Sequence, residues 1–171
     1  MPSLVEVNAL EHAAFVAALG HLFEHSPWIA GAAWSQRPFR DAPHLHAVLC
    51  ATMRAAPKEV QLALIRAHPD LAGRLAQRNK LTAESTREQA SAGLNQLTRG
   101  EMAAFQTNNA AYVARFGFPF IVCARLTNKT AILEAMQARV TNPPDVEFAT
   151  ALGEIEKIAK LRLDDVLAGK K

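Results

Sequence analysis

Signals that begin and end α-helices recur along nearly the whole chain, and they constrain its fold more than any other feature. Between them, apolar residues repeat every three or four positions, the spacing of one helix face. Asn8 with Glu11 matches the capping-box pattern of a helix N-terminus. Thr98 with Glu101 matches it again, and the helix that follows is predicted to end at Gly117. The sequence therefore predicts an all-α fold of seven or eight helices.

One apolar segment departs from this helical pattern. Residues 118–123 are apolar, contain a proline and favour the β conformation, so they are predicted to form an extended, buried stretch. Aromatic residues make up only 6% of the chain while 50% of the residues are hydrophobic, a balance that favours packed helices over a β-sandwich. The 171 residues contain no linker or internal repeat, so a single domain over residues 1–171 is expected.

The charge pattern and the cysteines limit the possible partners. The net charge is +3, and the basic tail Lys170-Lys171 is too short for an arm that binds nucleic acid. No apolar run approaches the roughly 18 residues that span a bilayer, so no membrane partner is expected. The first ten residues lack the basic and apolar regions of a signal peptide, and a cytoplasmic location is expected. Cys50 and Cys123 are expected to be buried free thiols.

Two polar residues occur where packing alone does not explain them. Pro69 excludes His68 from a regular helix, so His68 is predicted at a helix C-terminus, either as a cap or as a catalytic group. The partial negative charge at a helix C-terminus would favour the imidazolium. Glu88 follows Ser85 by three residues, the spacing of a capping box. A carboxylate held near a helix N-terminus is also suited to accept a catalytic hydrogen bond, and the two roles are compatible.

Arg162 lies on the apolar stripe of the last predicted helix, together with Leu152, Ile155 and Ala159. A guanidinium that faces a core is costly unless an anion pairs with it. The partner is either an internal Asp or Glu, or the carboxylate of a ligand held as a bidentate fork. The sequence leaves both alternatives open.

A metal site has only weak support. His21, Glu24 and His25 match the H-x-x-E-H pattern of some zinc peptidases. However, Ser26-Pro27 ends the helix immediately afterwards, and no third ligand is evident. No metal is therefore expected, and a zinc hydrolase is an alternative that metal analysis of the protein would test.

Four motifs, in matching order and spacing, resemble the family of 2-oxo-4-hydroxy-4-carboxy-5-ureidoimidazoline (OHCU) decarboxylases. They are His-Pro-Asp-Leu-Ala-Gly at 68–73, Leu-Thr-Ala-Glu-Ser-Thr-Arg-Glu-Gln at 81–89, the segment from Asn109 to Val122 with its Arg-Phe-Gly-Phe-Pro-Phe-Ile-Val, and Ile-Ala-Lys-Leu-Arg-Leu at 158–163. The resemblance begins near Phe15 and covers nearly the whole chain.

The resemblance implies an all-helical homodimer without cofactor or metal that converts OHCU to (S)-allantoin, the last of three steps from urate. It suggests a functional link to hydroxyisourate hydrolase, which acts one step earlier. It implies that His68 and Glu88 are catalytic and that Arg162 clamps the substrate. The remaining substrate-binding positions implied by the resemblance are Pro69, Ser85, Gln89, Pro119, Phe120, Ile121, Val122 and Cys123.

In the implied reaction His68 transfers the proton, and Glu88 is its partner on the hydroxyl or ureido nitrogen of the substrate. The sequence leaves open whether His68 starts as an acid or as a base. The competing hypotheses are a helical protein–protein module and a family member with an altered substrate. The module predicts an internal partner for Arg162 and no bound anion.

Overall fold

Helices account for the regular structure of residues 3–73 and 81–169, the part of the chain that the computed structural model describes. Nine α-helices and three short 3₁₀ helices, and no β-strand, occur within these ranges, which confirms the predicted all-α fold. The chain divides into two units, one of Met1–Ala67 with Glu156–Lys171 (unit 1) and one of His68–Ile155 (unit 2). The single domain over residues 1–171 stays a prediction, and its tail Lys170-Lys171 lies outside the described residues.

Unit 1 contains the N-terminal helices and the C-terminal part of the last one. Its elements are α1 (Leu4–Ala9), α2 (His12–Leu19), a 3₁₀ helix (Gly20–Leu22), α3 (Trp28–Ala33), a 3₁₀ helix (Trp34–Gln36), α4 (Ala42–Ala55), α5 (Lys58–Ala67) and the part of α9 (Pro144–Ala168) from Glu156. Helix α3 packs on α2 and α4. Phe15, Ile29 and Leu49 are completely buried in the core of this unit.

Unit 2 begins with the turn after α5. Its elements in the described ranges are α6 (Ala83–Ser91), α7 (Arg99–Phe116), a 3₁₀ helix (Ala124–Leu126), α8 (Lys129–Arg139) and the part of α9 up to Ile155. Helix α7 packs on α8, and α6 packs on the 3₁₀ helix. Residues 118–123 (the extended segment), which precede that 3₁₀ helix, lie outside any helix and are largely buried, as predicted, and Cys123 at their end has an extended backbone. None of the described helices has the length and apolar character needed to cross a membrane.

Local capping patterns predict some of the helix ends but not all of them. Thr98 and Glu101 form the predicted capping box at the start of α7. The box predicted from Asn8 is wrong, because Asn8 lies in α1, a short helix that the sequence analysis did not predict. The Asn8 side chain instead donates to the carbonyl of Phe39 and accepts from its N–H, both at 2.8 Å. A tertiary contact has displaced the local pattern.

A buried ion pair in unit 2 fixes the extended segment. Glu147 is completely buried, and its carboxylate accepts hydrogen bonds from Arg139 Nη2 at 2.9 Å, from Asn142 Nδ2 at 2.8 Å and from the Tyr112 hydroxyl. Burial raises the pKa of Glu147, but these hydrogen bonds outweigh it, and the net pKa lies below the ordinary value. Arg139 Nη1 also donates to the carbonyl of Ile121 at 2.9 Å. The network thus ties the extended segment to α8 and α9.

Replacing Glu147 should destabilise the protein strongly. Glu147→Gln leaves the guanidinium of Arg139 buried without its anion, which typically costs about 3–5 kcal/mol of unfolding free energy. Because the folded pKa of Glu147 is lowered, its contribution is complete above the unfolded pKa and is lost as the pH falls through the folded pKa. The free energy of unfolding can be measured at several pH values by urea unfolding followed by circular dichroism. It should fall more steeply with decreasing pH for the wild type than for the variant.

Asp164→Asn is the matched control for this measurement. Asp164 pairs with Lys160 at 2.7 Å, but about half of each side chain is exposed. Such exposed pairs contribute less than about 1 kcal/mol. An equal loss of unfolding free energy in the Glu147 and Asp164 variants would contradict the role given to the buried network.

Candidate active site

His68 directly follows α5, as predicted, and only 8% of it is exposed. Pro69 and Asp70 lead into a turn that Gly73 closes by donating its N–H to the Asp70 carbonyl at 3.2 Å. Ala72 in this turn has a φ of 51°, in the left-handed region that residues other than glycine rarely adopt. The turn therefore holds a costly backbone conformation, which persists only when neighbouring groups hold it in place.

Two side-chain amides, from α6 and α7, bind this turn. Gln89 Oε1 accepts the N–H of Ala72 at 2.9 Å, and Gln89 Nε2 donates to the carbonyl of Asp70 at 3.4 Å. Asn109 Nδ2 donates to the carbonyl of Leu71 at 2.9 Å. Three successive residues of the turn are thus each bound by an amide. Asn109 belongs to a recognised motif, but no sequence signal indicates that it contacts the turn.

Helix α6 begins earlier than the predicted capping box requires. Its N-cap is Thr82, whose hydroxyl accepts the N–H of Ser85 at 3.2 Å. The box predicted between Ser85 and Glu88 is therefore wrong, and Glu88 lies inside the helix. Ser85, Glu88 and Gln89 follow one another at helical spacing and share one face. Ser85 and Gln89 are buried and Glu88 is half-buried, so capping no longer explains Glu88.

The extended segment has part of its backbone engaged within the protein. The carbonyl of Ile121 accepts from Arg139, and the N–H of Cys123 donates to Glu154 Oε2 at 2.8 Å. All five positions of the predicted substrate-binding segment, 119–123, are buried or half-buried. Side chains from α8 and α9 therefore hold the middle and the end of this segment. The sequence analysis missed both of these contacts.

The charges around Cys123 show how α6 faces the extended segment. Burial, followed by the carboxylates of Glu154 and Glu88, raises the pKa of the Cys123 thiol to about 11, and Arg125 opposes this rise. Glu88 is therefore close enough to Cys123 to act on it electrostatically. Since the next residue, Gln89, binds the His68 turn, α6 lies beside both this turn and the end of the extended segment.

Helix α6 thus binds the turn that follows a buried imidazole, carries a half-buried carboxylate and lies near the end of the extended segment. An imidazole and a carboxylate can move a proton to or from a bound molecule. Backbone N–H groups can hold a carbonyl or carboxylate oxygen. The arrangement suits proton transfer on a small polar substrate.

Arg162 lies in unit 1 and has an internal partner. Only 4% of it is exposed, and its Nη1 and Nη2 each donate to Glu24 Oε2 at 3.1 Å. Nη1 also donates to the carbonyl of His21 at 3.3 Å. Of the two partners that the sequence left open, the structure shows the internal carboxylate. The contact of Arg162 with substrate stays a prediction.

The zinc-peptidase pattern does not form a regular helix in unit 1. His21 lies in a 3₁₀ helix, and His25 has a φ of 47° and an exposed side chain. Glu24 between them is committed to Arg162. Across residues 3–73 and 81–169, no group of three or more His, Cys, Asp or Glu side chains is placed to hold a metal ion.

Sequence comparisons connect the chain to known proteins over almost its full length. The family profile described as OHCU decarboxylase matches residues 8–164. The chain is 43% identical to the 2-oxo-4-hydroxy-4-carboxy-5-ureidoimidazoline decarboxylase of Mus musculus, covering 96% of this chain and 92% of that protein. It is 44% identical to the protein of the same name from Haloferax volcanii, covering 94% of each. It is also 37% identical to the uric acid degradation bifunctional protein PucL of Bacillus subtilis, covering 99% of this chain but 34% of that protein.

Two solved structures share the fold. A crystal structure of (S)-allantoin synthase superposes with a TM-score of 0.76 at 28% identity, covering 97% of this chain. This chain spans about half of that one, 54% of its length. A crystal structure of OHCU decarboxylase in the presence of (S)-allantoin superposes with a TM-score of 0.70, covering 93% of this chain and 99% of that one. At 21% identity the second likeness shows the fold alone.

Both cysteines should react slowly with thiol reagents. Cys50 and Cys123 are free, and burial raises the pKa of Cys50 to about 12 and that of Cys123 to about 11. The thiolate is the reactive form, and near pH 8 roughly 10⁻³ or less of either thiol would be ionised. We expect slow reaction with Ellman's reagent in the folded protein and fast reaction of both thiols in concentrated guanidinium chloride. The variants Cys50→Ser and Cys123→Ser show which thiol gives which part of the reaction with the reagent. Fast labelling of either thiol in the folded protein would refute the expectation.

Proposed function

Because the chain belongs to the OHCU decarboxylase family, we infer that it is a carboxy-lyase that converts OHCU to allantoin. The family profile over residues 8–164 and the 43% identity to the mouse protein over nearly the full lengths of both support this function. One observation in the structure carries this proposal. Helix α6 binds the His68 turn through Gln89, and its Glu88 lies close enough to the end of the extended segment to act on Cys123 electrostatically.

The chemistry of OHCU defines what the protein has to do. One ring carbon carries both a carboxylate and a hydroxyl, next to a C=N bond. When the bond to the carboxylate breaks, CO₂ leaves and the electron pair moves into the adjacent C=N system, so the substrate holds the charge itself. The hydroxyl proton is then lost and the ring nitrogen is protonated, and the neighbouring ring carbon also receives a proton, so that one proton is taken up from solvent overall. The protein must orient the carboxylate and deliver that proton to one face to give the (S) product.

His68 transfers the proton in the mechanism that we propose, and Glu88 is its partner on the hydroxyl or ureido nitrogen. The burial of His68 and the anchored turn beside it support this assignment, since proton transfer needs a fixed donor–acceptor geometry. The position of Glu88 inside α6, whose N-cap is Thr82, supports its part. General acid–base catalysis of this kind is typically worth about 10²–10⁴ in rate.

The extended segment is proposed to hold the substrate through its backbone. The carbonyl of Ile121 and the N–H of Cys123 already have internal partners. The proposed contacts therefore fall to the other backbone groups of residues 119–123, chiefly the N–H groups of Phe120, Ile121 and Val122. Such groups are suited to carbonyl and carboxylate oxygens. Pro69 and Ser85 remain proposed substrate contacts, supported by the family resemblance.

We further propose that the protein acts as a cytoplasmic homodimer with a functional link to hydroxyisourate hydrolase. The link is supported by the Bacillus subtilis relative, which is named a bifunctional protein of uric acid degradation and of which this chain matches 34%. Light scattering after size exclusion tests the dimer. A monomeric mass at working concentration would contradict it.

The reaction and the role of His68 can be tested in one assay. OHCU is generated in situ from urate with urate oxidase and hydroxyisourate hydrolase, and allantoin is followed by circular dichroism. The wild type should produce a fast (S) signal, and His68→Asn should lower the rate by about 10² or more at an unchanged melting temperature. His25→Asn is the matched control, because His25 is exposed and asparagine tolerates its positive φ.

The two possible failures of this assay differ. Slow, racemic product from the wild type, equal to the control without protein, would contradict the proposed function. Near-normal turnover by His68→Asn would contradict only the assignment of the proton-transfer residue.

Arg162 is proposed to bind a carboxylate or carbonyl of the substrate, and its pairing with Glu24 allows a separate test. Arg162→Met removes the guanidinium from the buried Glu24 carboxylate, so the free energy of unfolding should fall by about 3–5 kcal/mol. Adding Glu24→Gln removes that charge and should restore most of the stability. Turnover should remain low in the stable double variant, because the guanidinium is still absent. Recovery of turnover with stability would show that Arg162 has only a structural role.

A further inference from the structure

We propose that Gln89 and Asn109 form an amide clamp on the turn of residues 70–72 and thereby position His68 for proton transfer. This inference rests on the function proposed above, in which His68 delivers the proton. The family resemblance implies a different role for Gln89, as a substrate contact, and assigns none to Asn109. The clamp makes both of them positioning residues that act through His68.

The polar atoms of Gln89 are already engaged by the turn. Its Oε1 accepts from Ala72 at 2.9 Å, its Nε2 donates to Asp70 at 3.4 Å, and only 6% of the residue is exposed. These two bonds fix the orientation of the amide, and they leave a substrate only the second N–H and the second lone pair of the side chain. The side chain of Gln89 is therefore placed to hold protein backbone, and its effect on the reaction passes through the turn.

The turn transmits its position to His68 because it cannot relax easily. Pro69 restricts the backbone beside His68, and Ala72 holds a φ of 51°. At Gly73 an added Cβ would lie 2.5 Å from the Cβ of Asp70, so the chain is tightly folded back on itself there. Only Pro69 separates His68 from the first clamped residue. A shift of the turn should therefore displace the imidazole.

Stability gives little reason for an asparagine at position 109. Its Nδ2 binds the carbonyl of Leu71, but its Oδ1 is buried and accepts no hydrogen bond from the described part of the chain. A buried acceptor without a partner is destabilising, so an apolar side chain of the same size would remove this cost while it deprives the Leu71 carbonyl of its donor, and the two effects on stability oppose each other. The amide of Asn109 provides a directed hydrogen bond to the turn, which an apolar side chain of the same size cannot make.

The test compares apolar side chains of similar size at both positions. Gln89→Met and Asn109→Leu should each lower kcat by about 10²-fold, because small misplacements of a catalytic group have effects of that order. KM should change little, and the melting temperature should fall by only a few degrees, because each variant removes a hydrogen-bond partner from buried backbone of the turn. The double variant should lose less than the product of the two single losses, since both act on one turn. The proton NMR signal of the His68 ring, assigned with His68→Asn, should move in both single variants.

Two further variants separate the clamp from general damage. Asn108→Ala, on the same helix, loses a 2.8 Å bond from its amide to the carbonyl of Ala104 and should keep wild-type kcat and the His68 signal. Gln89→Glu keeps an acceptor for Ala72 but loses the donor to Asp70, and its kcat should lie between those of the wild type and Gln89→Met. If Gln89→Met fails to fold, Gln89→Glu takes its place in the comparison.

The outcomes that overturn the inference are distinct from those that overturn the function. A raised KM with normal kcat in Gln89→Met, together with a silent Asn109→Leu, would show that Gln89 contacts substrate directly. Normal kcat and an unmoved His68 signal in both variants would exclude a clamp. If the wild type itself fails to turn over OHCU, the proposed function falls, and the His68 signal alone decides whether the clamp exists.

Discussion

The candidate site depends on how the buried backbone N–H and C=O groups outside the helices find hydrogen-bond partners. Helices satisfy their own N–H and C=O groups, but the turn after His68 and the extended segment 118–123 cannot, and a buried polar group without a partner is costly. The structure resolves this with side chains from neighbouring helices. Gln89 and Asn109 bind the turn, and Arg139 binds the carbonyl of Ile121. The requirement for satisfied backbone therefore also builds a rigid site.

The strength of this support differs between the two segments. The extended segment is held by charged groups, Arg139 at Ile121 and Glu154 at Cys123, and charge-assisted bonds are stronger than neutral ones. Arg139 is itself fixed by the buried carboxylate of Glu147. The bonds of Gln89 and Asn109 to the turn join neutral groups. Each of these bonds is therefore expected to be weaker than the charge-assisted bonds to the extended segment, and the turn follows His68, the residue proposed to transfer the proton.

The sequence predicts the helices better than it predicts the contacts of the candidate site residues. Helical spacing and the Thr98 capping box are local features, and both are confirmed. Asn8 shows where local reasoning fails, since a residue 31 positions away takes its side chain. The bond from Asn109 to Leu71 spans 38 residues and that from Cys123 to Glu154 spans 31. No local pattern encodes which helices meet across such distances, so these partners emerge only from the fold.

Glu24 and Gln89 show why a motif identifies a site residue more readily than its role. Arg162 on an apolar stripe needs an anion, and the sequence cannot tell an internal carboxylate from a substrate carboxylate, because both satisfy the same charge. Gln89 next to Glu88 presents the same ambiguity, since an amide that binds substrate and one that binds backbone are identical in sequence. The distinction lies in which atoms are already occupied. At Gln89 each polar atom makes one hydrogen bond to the turn, and this observation is the basis for the positioning role beside His68 that is proposed for it.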